Sequence, residues 1–127
     1  MIDDFPNVRA ALQTYLDGLY HSDTKRLRQV MHRDAIYASV QDGELVYHTM
    51  DSYLPIVDAR PSPASRNEDR ADRILDIRFA GADTAFASLN CAIADLYFTD
   101  FLTLIKHDGR WQIISKVFDV SQRAEVV

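Results

Sequence analysis

A chain of 127 residues and 14.5 kDa fits one ordinary domain, 1–127, without a boundary inside it. Hydrophobic residues at 47% and charged residues at 26% exclude a disordered, collagen-like or coiled-coil chain, and four Gly with four Pro are too few for a linker. Fourteen Lys+Arg against nineteen Asp+Glu leave a net charge of −5, which opposes general binding to the phosphate backbone of a nucleic acid.

The first half reads as helical. Asp3 or Asp4 suits a helix N-cap, and Pro6 suits its first turn. Val8, Leu12, Tyr15, Leu16 and Leu19 then recur at helical spacing as one apolar stripe. His21-Ser22-Asp23 breaks this helix, and Ser22 or Asp23 caps a shorter one carrying Leu27, Val30 and Met31. Its Lys25, Arg26 and Arg28 fit a solvated face. Ala35 to Val40 reads as a short strand. Asp42-Gly43 supplies a tight turn, and Leu45 to His48 returns as a second strand. Thr49 then caps a third helix with Met50, Tyr53, Leu54, Ile56 and Val57, which Pro55 is expected to kink or divide. Asp58 to Asp69, with Pro61, Ser62, Pro63, Ser65 and Asn67, reads as a loop beside a site.

Beyond Arg70 the period changes to two. Leu75, Ile77 and Phe79 alternate with Asp76 and Arg78. Three more strands follow: Thr84 to Ala94, a second ending at Lys106, and Arg110 to Val120. Turns join all four strands in succession, so this sheet is antiparallel and the fold class is α+β. The last three strands are apolar on both faces. Phe86 and Ala92 oppose Leu89 and Ile93. Phe101 and Ile105 oppose Leu102 and Leu104. Trp111, Ile113 and Val117 oppose Ile114 and Phe118. A sheet with one wet face alternates more cleanly. One face is expected to cover the helices and the other a second copy of the chain, making a homodimer through the outer sheet face.

Two helices, a strand pair, a third helix and a four-strand meander resemble the nuclear transport factor 2-like (NTF2-like, SnoaL-like) superfamily, and within it the branch labelled putative lumazine-binding. The resemblance rests on Met31-His32-Arg33-Asp34-Ala35, on Asp42-Gly43, and on the run from Phe98 to Lys106. Asp108-Gly109, Trp111-Gln112-Ile113-Ile114, Lys116 and Phe118 complete it. It implies a cone in which a curved antiparallel sheet wraps three N-terminal helices and leaves a pocket, and often a dimer. The branch label implies a planar heterocyclic ligand. The wider superfamily implies isomerases, cyclases and dehydratases that need no cofactor, as well as binding proteins.

Several residues are candidates for that pocket. Asp100 and Lys116 flank the turn at Asp108-Gly109. A three-residue loop sets them opposite each other on one face, and a two-residue loop sets them on opposite faces. Buried among Leu102, Leu104, Ile114 and Phe118, the pair either holds a polar ligand or moves a proton, or else fixes strand register. His32 suits acid–base work, and equally suits closing the end of the second helix. Asp34 is a further acidic candidate, but no isomerase motif surrounds it or Asp100. Tyr15 faces the sheet, as a ligand donor or as a core tyrosine. Tyr37, Tyr47, Tyr53, Phe98 and Phe118 either wall a pocket for a planar molecule or fill the core and the dimer contact. The histidines show no metal-ligand spacing, and no phosphate loop or Cys-x-x-Cys occurs, so no metal and no cofactor is expected. Cys91 as the sole cysteine, no apolar run of about 20 residues, and the acidic start Met1-Ile2-Asp3-Asp4 give the expectation of a cytoplasmic protein off the membrane.

Three readings of function follow: a small-molecule binder, a cofactor-free SnoaL or isomerase-like enzyme using His32 or Asp100 as base, and a dimerisation scaffold with a vestigial pocket. The binder would use Tyr15, Tyr53, Asp100, Lys116 and Phe118, with His32 at the rim or wall of the pocket.

Overall fold

The structure, a computed structural model, describes residues 4–122. Helix α1 runs Phe5–His21 and buries Val8, Leu12, Tyr15, Leu16 and Leu19, the stripe expected from the spacing. Asp4 holds the N-cap position, but its carboxylate accepts from Asn7 Nδ2 and Lys106 Nζ rather than from the helix N–H groups. Asp3 lies outside the described residues. Ser22, at φ 48°, ends α1 in the left-handed conformation. The Asp23 carboxylate accepts from Lys25 and Arg26 N–H and so starts α2, Thr24–Val30. The two helices approach closely at Gly18, where a Cβ would meet Leu27 Cδ2 at 2.7 Å.

Strand β1 spans Met31–Gln41, longer than expected, because the chain enters the sheet directly at Met31. It turns at Asp42 and Gly43, both with positive φ, into β2, Glu44–Thr49, with Gln41 opposite Glu44. Helix α3, Met50–Ala59, follows, with Ser52 Oγ accepting the Thr49 N–H at 3.1 Å. It runs undivided through Pro55, contrary to the expected break. Pro55 sits one turn in, so only the Asp51 carbonyl loses a helical partner. The hairpin therefore separates α3 from the first two helices, and a single 3-10 turn, Ala64–Arg66, punctuates the following loop.

Strands β3, Arg73–Phe79, β4, Thr84–Ile93, β5, Leu96–His107, and β6, Arg110–Gln122, form the antiparallel meander. The whole sheet has six strands in the order β2-β1-β6-β5-β4-β3, and β1 lies parallel to β6. Two bulges reset the side-chain alternation. In β3 the register shifts between Ile74 and Asp76, so Ile74 and Ile77 both pack on the core and Leu75 is exposed, while Phe79, on the Ile77 face at the strand end, meets Trp111 and stays partly exposed. In β6, Ser115 pairs with Thr103 and Ile113 with Leu104, leaving Ile114 as the extra residue. Trp111, Ile113, Lys116 and Phe118 are consequently buried, and Val117 is exposed. The grouping of Ile113 with Val117 on one face fails for that reason.

The α1–α2 contact gives a direct test. Gly18→Ala gains helix propensity but drives a methyl group into buried Leu27. We expect a net loss of about 1 kcal/mol in urea unfolding, recovered in Gly18→Ala with Leu27→Val. A gain in stability from Gly18→Ala alone would show that the contact yields freely.

Candidate functional site

The β5–β6 loop contains only Asp108 and Gly109, with His107 opposite Arg110. On an unbroken ladder that loop would put Asp100 and Lys116 on opposite faces. The Ile114 bulge inserts one residue and reverses the parity. Asp100 then pairs with Phe118 and Lys116 with Leu102, so the two charges are diagonal neighbours on the inner face rather than direct partners. They are 0% and 3% exposed. Lys116 Nζ stands 4.0 Å from Asp100 Oδ2, an ion-pair distance longer than a hydrogen bond. Tyr15, carried in by the α1 stripe, donates its hydroxyl to the same Oδ2 at 2.6 Å.

Aromatic rings surround the ammonium. Lys116 Nζ lies 5.1 Å from the ring centres of both Tyr37 and Phe118, 5.4 Å from Tyr15, 5.5 Å from Tyr53 and 6.0 Å from Phe98. Ring faces attract a cation, and more strongly out of water. Tyr37 stacks on Tyr53 at 4.5 Å and meets Phe118 edge-on at 4.7 Å. Burial alone would push the Lys116 pKa down, but the Asp100 carboxylate outweighs it and holds it above the ordinary lysine value. Burial and then the Asp100 charge push Tyr15 well up. The same two causes push the Cys91 thiol up to about 12. The interior thus holds an ammonium, a neutral phenol and a neutral thiol.

Two features of this interior bear on ligands. Asp100 Oδ1 is buried and has no hydrogen-bond partner among the described residues. So are Nε and Nη2 of Arg60, at the end of α3. Buried polar atoms are normally satisfied, and an unmade hydrogen bond costs about 1–3 kcal/mol, more for a charge. Arg60 escaped the sequence reading, although the spacing of Tyr53, Val57 and Arg60 places all three on one helical face.

The structure brings Tyr15, Tyr53, Asp100, Lys116 and Phe118 together, with Tyr37 and Phe98 beside them. It does not bring His32 to them. His32 is in β1 rather than at a helix end. Its Nδ1 accepts the Asp34 N–H at 3.0 Å, so the ring proton sits on Nε2, 3.1 Å from His107 Nδ1. His107 is seven residues along β5 from Asp100, roughly 23 Å at strand rise. His32 and His107 instead line a separate cleft of about 480 Å³, together with Arg28, Arg33, Arg110 and Asp51. Asp34 is exposed beside Arg33. Tyr47 is 52% exposed on β2 and walls no interior site. Among the described residues, no group of three or more His, Cys, Asp or Glu is arranged to hold a metal ion. No described helix is long and apolar enough to cross a membrane.

Residues 3–119 match the family described as "Putative lumazine-binding". The chain belongs to this family. Its fold is NTF2-like: a crystal structure of an NTF2-like protein of unknown function from Silicibacter pomeroyi superposes with a TM-score of 0.79 and 26% identity, covering 91% of this chain and 94% of that one. A second, from Shewanella baltica, gives a TM-score of 0.83 at 22% identity over 93% and 94%. A ketosteroid isomerase-like protein from Erwinia carotovora atroseptica gives 0.71 at 15% identity over 94% and 98%. A protein from Cladobotryum sp named aldolase FrzH is 25% identical over 117 residues, 91% of this chain and 90% of that protein.

Two measurements probe the charged centre of this family member. Asp100→Leu and Lys116→Met each strand one buried charge or its partner's hydrogen bonds, and each is expected to lose about 3–5 kcal/mol in urea unfolding. The double variant should recover most of that loss, and a double loss equal to the sum of the two single losses would mean that the charges do not interact. On pH, Cys91, Tyr15 and Lys116 all have folded pKa values raised above the unfolded ones. Their contribution is therefore complete below the unfolded values and lost as pH rises through the folded ones. Thermal stability is expected to fall from about pH 9 upward, with Cys91→Ala delaying the onset towards pH 10. A flat profile to pH 11 would contradict the burial of these groups.

Proposed function

We propose that the chain binds a small planar molecule in the interior lined by Tyr15, Tyr53, Asp100, Lys116 and Phe118, its polar edge lying between Asp100 Oδ1 and Lys116 Nζ. The unpartnered Oδ1 beside an ammonium 4.0 Å from the other oxygen carries this reading. A pair serving only to fix register would close to hydrogen-bond distance and satisfy both oxygens. A heterocycle edge with N–H beside C=O donates to Oδ1 and accepts from Nζ, while the rings of Tyr37, Tyr53 and Phe118 supply stacking faces. The family description supports a heterocycle.

A second reading, catalysis without a cofactor, is favoured by the relative named as an aldolase. Asp100 would take the proton from the carbon beside a substrate carbonyl. The C–H electron pair becomes the C=C bond of an enolate, and the Lys116 ammonium stabilises its oxygen. Lys116 acts here by charge, since its raised pKa keeps it protonated and unavailable as an amine nucleophile.

The outer sheet face supports a homodimer. Phe101 and Val117 face each other in register there, 53% and 46% exposed, with Phe86 5.5 Å from Phe101. A reducing cytoplasm suits the buried free thiol of Cys91.

Native mass spectrometry followed by denaturing release tests these proposals. We expect a dimer carrying a defined small mass that is absent from Asp100→Asn and Lys116→Met, and a monomer from Phe101→Asp. Retention of the mass by both site variants would sink the interior reading. A protein that carries no mass and shows no thermal shift with any metabolite would leave the scaffold reading standing.

A further inference from the structure

Arg60 closes helix α3 on the face that carries Tyr53 and Val57, both buried, at spacings of seven and three residues. Seven residues place its Cα about 10 Å along the helix from Tyr53, whose ring flanks the Lys116 ammonium. Burial raises the pKa of both Tyr37 and Cys91, and Lys116, Asp100 and Arg60 act on both side chains, with the Asp72 charge acting on Cys91 as well. Arg60 thus follows, at the end of α3, the helix face whose Tyr53 packs against the buried pair.

The two buried atoms without partners, Nε and Nη2, form the side edge of the guanidinium. That edge takes a carboxylate bidentately. On Arg70 the same edge engages one carboxylate oxygen, Nε and Nη2 both donating to Asp72 Oδ2. Three acidic side chains near Arg60 in sequence are already engaged, and Asp69 is exposed. Glu68 accepts from Arg66 and from the Ala94 N–H, Asp72 from Arg70, and Asp58 from Thr24. The side edge of half-buried Arg60 is thus left without a carboxylate among the described residues, while Asp100 keeps Oδ1 open beside Lys116. A guanidinium edge buried without a partner favours an anion.

We propose that Arg60 anchors an anionic group, a carboxylate, on the planar molecule held at Asp100 and Lys116. This rests on the interior being a ligand site and adds the ligand's charge. The heterocycle edge engages Asp100 and Lys116, and its carboxylate takes the Arg60 edge.

Uracil and orotate, its carboxylate derivative, separate the two claims. Uracil carries the N–H and C=O edge alone, and orotate adds the anion. Titration calorimetry on the full chain should show orotate binding at least about tenfold more tightly than uracil. Arg60→Gln should bring orotate down to the affinity of uracil and leave uracil unchanged, and Arg60→Lys should restore part of the difference. Equal binding of the two probes, or equal weakening of both by Arg60→Gln, overturns the role of Arg60 while keeping the interior site. Binding of neither probe overturns the interior site itself. A ligand-free measurement stands beside these. An arginine kept for an anion is a strain on the empty protein, so Arg60→Gln should melt at or above the wild-type temperature. A lower melting temperature would mark Arg60 as structural and overturn the proposal.

Discussion

Two opposite charges lie in an interior with almost no access to water, and the rest of the architecture accommodates them. Removing Asp100 and Lys116 from solvent costs several kcal/mol per ion, which only close partners can offset. The partners come from distant parts of the chain: Tyr15 from α1, Tyr37 from β1, Tyr53 from α3 and Phe118 from β6. Each contributes a hydroxyl or a ring face, and each is held there by its own apolar stripe or strand parity. Compensation is nevertheless incomplete. One carboxylate oxygen of the pair and one guanidinium edge at the end of α3 remain unpartnered, as do Ser22 Oγ and Trp111 Nε1 elsewhere among the described residues.

Much of this was legible in the residues. The α1 stripe is buried as its spacing demands, Asp23 caps α2, and Asp42-Gly43 makes the hairpin turn. These features depend on local chemistry, which the sequence carries directly. The bulges at Leu75 and Ile114 do not, because an extra residue in a strand has no local signature. Asp100 and Lys116 share a face as the three-residue loop would have required, yet the loop has two residues and Ile114 restores the parity. The parallel pairing of β1 with β6 was equally hidden, since it joins segments about eighty positions apart. His32 was drawn towards the pocket by its chemistry, but strand length separates it from Asp100 and joins it to His107.

The sheet therefore separates two polar regions. At the turn between β5 and β6, the His32–His107 pair lines a cleft open to solvent. Deeper along the same strands, Asp100 and Lys116 are enclosed by rings. The enclosed region sets ring faces beside the charged pair, and the chain belongs to the family described as "Putative lumazine-binding". Fold alone does not choose between binding and catalysis. What separates them is whether the Asp100 oxygen meets a polar edge or an acidic C–H bond.

A crystal structure at a resolution that shows ordered atoms tests the central claim most directly. The account predicts a polar atom of a ligand or water within about 3.2 Å of Asp100 Oδ1, bridging towards Lys116 Nζ. Lys116 closed directly onto Asp100 at about 2.8 Å, with both carboxylate oxygens satisfied by protein groups alone, would contradict it.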